Sequence, residues 1–119
     1  MPLQKVLVVE DMKSLQGHLK RTLEGKLEII SALTVEDGQR LFDLNPDVAA
    51  IVMDACVPGD WPTTIPLVKE IRRKNFTGPM IAISSNSSFR QQLMAAGCSH
   101  ECDKLETRKK LCEILNIAL

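Results

Sequence analysis

Three short apolar runs in this chain each break off at a residue with useful chemistry, and that pattern limits the possible folds more than any other feature. Lys5-Val6-Leu7-Val8-Val9 runs into Glu10-Asp11, Ala49-Ala50-Ile51-Val52-Met53 into Asp54, and Met80-Ile81-Ala82-Ile83 into Ser84. A continuous apolar run of this length, ending abruptly in polar residues, reads as a strand buried on both faces, as in parallel sheets. In open α/β sheets, ligands bind beyond the carboxyl ends of the strands. Laid side by side, these strands would bring three carboxylates and a hydroxyl to one spot. Such a spot suits a divalent cation and a phosphoryl group.

Between the runs the pattern is helical. Met12, Leu15, Leu19 and Leu23 recur at helical spacing, with Gly25 placed to close that helix. Leu27-Glu28-Ile29-Ile30 reads as a second strand. Thr34 with Asp37 resembles a capping box, opening a helix that carries Leu41 and Phe42. Thr63 or Thr64 can cap a helix through Val68 and Ile71, with Pro66 tolerated in its first turn. The polar residues 84–88 cap a further helix that turns Phe89, Leu93 and Ala96 inward and stops at Gly97. A short fifth strand falls near Glu101-Cys102, and a last helix buries Leu111, Ile114, Leu115 and Ala118. Five β-α units with right-handed crossovers predict a flavodoxin-like, doubly wound α/β domain. It would be a (βα)5 parallel sheet of strand order 2-1-3-4-5, spanning residues 1–119 as one domain.

Composition narrows the function classes. A formal net charge of 0, from 15 basic and 15 acidic residues, leaves no nucleic-acid or membrane footprint. No apolar stretch is long enough to cross a bilayer, and the N-terminus lacks a signal-peptide pattern. The four cysteines (56, 98, 102, 112) have no disulfide-framework spacing and read as reduced thiols in a cytoplasmic protein. Cys98-Ser99-His100-Glu101-Cys102 invites a zinc reading, but no second cluster completes a tetrahedral site.

Taken in order, several features resemble a response-regulator receiver domain of the chemotaxis-regulator type, over essentially the whole chain. These are Glu10-Asp11 after the first strand, Asp54 after the third, Pro58-Gly59 just beyond it, Ser84 after the fourth, and Lys104 after Gly97. Each alone has an ordinary structural reading: acids at a helix start, a turn aspartate, a capping serine, a surface lysine. The resemblance implies that Asp54 is a phosphoacceptor, attacking a phosphohistidine or a small acyl phosphate. It further implies that Asp11 and Asp54 bind Mg²⁺ directly, that Glu10 acts mostly through water, and that the Cys56 carbonyl adds an oxygen. Lys104 would pair with the Asp54 carboxylate and then with the phosphoryl group, and Ser84 would donate a hydrogen bond to it. The implied partners are a histidine kinase or histidine phosphotransfer protein and an output protein. Such a domain catalyses only its own phosphorylation and dephosphorylation.

The chain also departs from that family. Leu105 follows Lys104 where proline is usual, and Glu101 stands where the family places Tyr, Phe or His; the chain has no tyrosine at all. A charged Glu101 cannot enter an apolar slot unpaired, so it should face solvent or pair with a basic group. These departures keep open a pseudo-receiver, the same fold used as an interaction module that is never phosphorylated. Enzymes on related folds fit less well. Acids after the first strand would repel a flavin phosphate, no G-x-x-x-x-G-K-[ST] is present, and Cys56 replaces the second aspartate of a haloacid-dehalogenase-type phosphatase.

Overall fold

The apolar runs form the centre of a five-stranded parallel sheet of order β2-β1-β3-β4-β5, as the sequence predicts. The computed structural model describes residues 2–119. Its strands are β1 (Gln4–Val9), β2 (Leu27–Ala32), β3 (Ala50–Asp54), β4 (Met80–Ile83) and β5 (His100–Cys102). The helices are α1 (Lys13–Thr22), α2 (Val35–Leu44), α3 (Ile65–Arg73), α4 (Ser87–Ala96) and α5 (Thr107–Leu115), with a short 3-10 turn over Lys104–Glu106. Every residue of β3 and β4 is buried, because helices cover both faces of the central strands.

Alternation along the strands divides the core into two layers. Leu7, Val9, Ile51, Met53, Met80 and Ala82 point to one face, where Phe42, Val68, Leu93 and Cys98 cover them from the α2–α4 side. Val6, Val8, Val52, Ile81 and Ile83 point to the other, against Leu19 and Leu23 of the α1 side and Leu111 and Cys112 of α5. Fully burying one such aliphatic side chain contributes about 1.5–3 kcal/mol, so these layers dominate stability. Gly38 lets α2 lie close on the sheet: a Cβ there would meet Leu67 Cδ2 at 3.0 Å and Val9 Cγ2 at 3.1 Å. Arg72 ties the far end of the domain together, donating to the carbonyls of Gly97 (2.8 Å), Phe76 (2.9 Å) and Gly78 (2.8 Å).

Several local expectations need correction. Met12 lies outside α1 and is 48% exposed; the buried stripe of that helix passes instead through Gln16 and Leu19. Helix α1 ends at Thr22, and Gly25 (φ +78°) supplies the turn into β2 rather than the helix stop. The last helix ends at Leu115, so Ala118 is exposed and Ile117 packs on the core in its place. Thr64 holds the N-cap position of α3, its carbonyl accepting the Val68 N–H at 3.0 Å, but neither its hydroxyl nor that of Thr63 makes a capping bond. The Thr64 hydroxyl donates backwards to the Asp54 carbonyl (2.8 Å), and Thr63 Oγ1 accepts the Val57 N–H (3.0 Å). The Thr34 cap does form, accepting the Asp37 N–H at 3.0 Å.

Candidate functional site

Register alone brings the key residues together. Val9 lies beside Met53 in the β1–β3 pair, so Glu10 and Asp11 emerge next to Asp54. Asp54 lies beside Ile83 in the β3–β4 pair, which places Ser84 one step beyond. Ile83 lies beside Cys102 in the β4–β5 pair, and the chain reaches Lys104 two residues later. All of these residues therefore sit at the carboxyl edge of one parallel sheet. An open cleft of about 690 Å³ there is lined by Asp11, Asp54, Cys56, Ser84, Phe89 and Lys104.

The electrostatics are those of an acid cluster short of positive charge. One carboxylate oxygen each from Glu10, Asp11 and Asp54 lies within 4.8 Å of the others. Glu10 is fully buried; its Oε1 accepts the Met12 N–H at 2.9 Å, and its Oε2 lies 3.2 Å from Lys104 Nζ. Burial, with Asp54 close by, pushes the Glu10 carboxyl up to about 7. Asp54 is 1% exposed and sits 3.3 Å from the same Lys104 nitrogen. Burial raises its carboxyl too, against the opposing pull of Lys104. Burial alone would lower Lys104, but Asp54 and Glu10 more than offset that and the net shift is upward, so it stays cationic.

One lysine thus faces two buried carboxylates, with Asp11 at the partly exposed rim. The one contact made by the fully buried Glu10 Oε2 is its ion pair with Lys104, which it shares with Asp54. An all-oxygen donor set and three carboxylates against one lysine fit a hard divalent cation of the Mg²⁺ kind. Among the described residues this is the one convergent group of three or more metal-capable side chains. The cysteines are all free thiols, and none joins such a group. Cys56 borders the cleft, and burial, with Asp54 next, pushes its thiol up. Its side chain is therefore a poor nucleophile.

The hydroxyl of Ser84 is buried, accepting the Asn86 N–H at 3.0 Å. Asn86 in turn caps α4 through the Phe89 N–H at 3.2 Å. Glu101 occupies no apolar slot. It pairs with Arg90 at 3.0 Å and accepts from Gln91 at 2.6 Å. Leu105 projects from the middle of the 3-10 turn and is 94% exposed. Three contacts of this region escape a reading of sequence alone: those of Gln16, of the Thr64 hydroxyl with the Asp54 carbonyl, and of Arg90. Gln16 Nε2 reaches the carbonyls of Val8 (2.9 Å), Glu10 (3.1 Å) and Ala32 (3.3 Å), fixing the loop that carries Glu10 and Asp11. The sequence signal for Gln16 is a lone polar residue on an otherwise apolar helical stripe; for the other two there is none.

No protein-family model and no curated protein matches the chain. Solved structures do. The receiver domain of the Francisella response regulator 1452 aligns with a TM-score of 0.77 at 23% identity, over 95% of this chain and 93% of that one. The Vibrio cholerae chemotaxis protein CheY4 aligns with a TM-score of 0.77 at 19% identity, over 95% of this chain and 99% of its own. A Burkholderia pseudomallei response regulator, solved with a phosphorylated aspartic acid, a calcium ion and citrate, aligns with a TM-score of 0.78 at 16% identity, over 94% of this chain and 66% of its own. The fold is therefore that of response-regulator receiver domains.

Proposed function

We propose that this chain is a phosphoacceptor receiver domain that takes a phosphoryl group on Asp54 from a histidine kinase or histidine phosphotransfer protein. The observation that carries this reading is Lys104, held 3.3 Å from Asp54 and 3.2 Å from Glu10 at the mouth of the acid cluster. A structural aspartate at a strand end has no need of a partly buried lysine shared with a second buried acid. Receiver folds in the neighbouring structures support the same reading.

The chemistry follows from the residues. An Asp54 oxygen attacks phosphorus as the donor's P–N bond breaks, or the P–O bond of a small acyl phosphate, and the bonding pair leaves with the donor. Lys104 stands 3.3 Å from one oxygen of the Asp54 carboxylate, as a mobile point charge beside the transfer. Ser84, at the end of β4 and on the same side of Asp54 as Lys104, offers a hydroxyl hydrogen to the cleft. Glu10, Asp11, Asp54 and the Cys56 carbonyl would hold Mg²⁺. When bound, the ion offsets the negative charge that gathers on the phosphoryl oxygens. The transfer is single and stoichiometric, with an output protein reading the result. Among the described residues no helix is long and apolar enough to cross a membrane. We place the protein in the cytoplasm, with residues 1–119 acting as one domain.

The second reading, a pseudo-receiver, draws on Glu101, which is committed to Arg90 and Gln91. Intact mass after incubation with a small acyl phosphate and Mg²⁺ separates the two. One added phosphoryl mass on wild type, lost in Asp54→Asn, is expected. An unmodified wild type at saturating donor selects the pseudo-receiver.

A further inference from the structure

Arg90 joins the phosphoryl site to the far edge of the sheet. It lies in the first turns of α4 with its side chain only 17% exposed, and its guanidinium is used on two edges. Nε donates to Glu101 on β5 at 3.0 Å, and Nη1 donates to the backbone carbonyl of Ser84. Gln91 holds the second oxygen of Glu101 at 2.6 Å, so the carboxylate that anchors Arg90 is itself anchored. On the other side of Ser84, the Asn86 N–H donates to its hydroxyl oxygen at 3.0 Å. That contact occupies an acceptor lone pair and leaves the hydroxyl hydrogen available to an incoming oxygen.

A planar guanidinium bonded along two edges fixes both distance and plane, which an ammonium cannot do. We propose that Arg90 is a positioning residue for phosphoryl transfer to Asp54: it fixes the Ser84 carbonyl so that the Ser84 hydroxyl meets the arriving phosphoryl group, and Glu101 sets its reach. The inference rests on the phosphoacceptor reading and assigns Glu101 a task within it. In place of a ring, this position carries the anchor of a rigid polar link.

The test measures the Asp54 phosphorylation rate against small-acyl-phosphate concentration at fixed Mg²⁺, for the full chain. Arg90→Ala and Arg90→Lys are each expected to lower the saturating rate by about tenfold to a hundredfold, the upper figure being the cost of a misplacement of about 1 Å. The half-saturating donor concentration should change less than about twofold, since the acid cluster and Lys104 are untouched. Ser84→Ala should show the same loss. The double variant Arg90→Ala/Ser84→Ala should lose no more than either alone, because both act through one hydroxyl. A purely structural Arg90 would give additive losses. The exchanged pair Arg90→Glu/Glu101→Arg should recover thermal stability without recovering the rate. Wild-type rates in folded Arg90→Lys, or additive losses in the double variant, overturn the inference alone. A wild type that accepts no phosphoryl group overturns the phosphoacceptor reading with it.

Discussion

Removing the charge of Glu10 should change how stability depends on pH in a direction fixed by its burial. Glu10 is fully buried beside Asp54, and its carboxyl sits at about 7 against an ordinary 4.5. The folded protein therefore holds this proton more tightly than the unfolded chain. Stability tied to it is fully present below pH 4.5, falls as pH rises through about 7, and levels off above. At about 1.4 kcal/mol per pH unit, the gap between 4.5 and about 7 corresponds to at most ~3.5 kcal/mol in the absence of metal. Glu10→Gln mimics the protonated acid and keeps an oxygen for the Met12 N–H. At pH 5 the variant should match wild type within about 1 kcal/mol. At pH 8, in chelator, it should be more stable by about 1–3 kcal/mol. Urea unfolding at pH 5, 6, 7 and 8 measures this directly. Adding Mg²⁺ at pH 8 should restore wild type and help the variant less, because the ion binds the folded acid cluster. Parallel pH profiles for the two proteins would refute the argument, since Glu10 would then carry no raised pKa.

The same carboxyl edge carries two further tests. Gln16→Leu keeps bulk but strips the donor shared by the Val8, Glu10 and Ala32 carbonyls; it should cost about 1–3 kcal/mol in urea unfolding. Trp61, the chain's single tryptophan, is 74% exposed and packs edge-on against Phe89 of the cleft wall with centroids 6.4 Å apart. Its fluorescence should follow Mg²⁺ binding, and Asp11→Asn should weaken that binding by at least about tenfold while leaving the fold intact. Equal affinities would remove Asp11 from the ligand set.

The strands that position the site were legible because a strand buried on both faces must be apolar throughout, and its first polar residue marks the sheet edge. Val9 to Glu10, Met53 to Asp54 and Ile83 to Ser84 all obey this rule. What sequence could not convey was the depth of the polar residues. Acids after a strand look like a solvated helix start, yet Glu10 has no exposed surface, because α1 begins only at Lys13 and the intervening turn folds over it. Thr64 and Thr63 have the composition of helix caps but bond backwards to the β3–α3 loop, a competition that local propensity does not resolve. The Arg90–Glu101 pair spans α4 and β5, beyond the three- and four-residue spacings by which charge pairs on one helix are recognised. Ala118 fits the apolar period of the last helix, but Asn116 adopts a left-handed conformation (φ +56°) and ends it first.

The two layers of the core each conceal a thiol, and this lets the molecule time its own openings. Cys98 lies in the layer beneath α3 and α4, and Cys112 in the layer beneath α1 and α5; they are 6% and 2% exposed. Burial pushes the Cys98 thiol up to about 12, so little thiolate forms while that layer stays closed. A thiol reagent present during native fluctuations would therefore mark each cysteine at the pace its own layer parts from the sheet. Comparing the two labelling clocks reveals whether the sheet sheds its helices together or one side at a time.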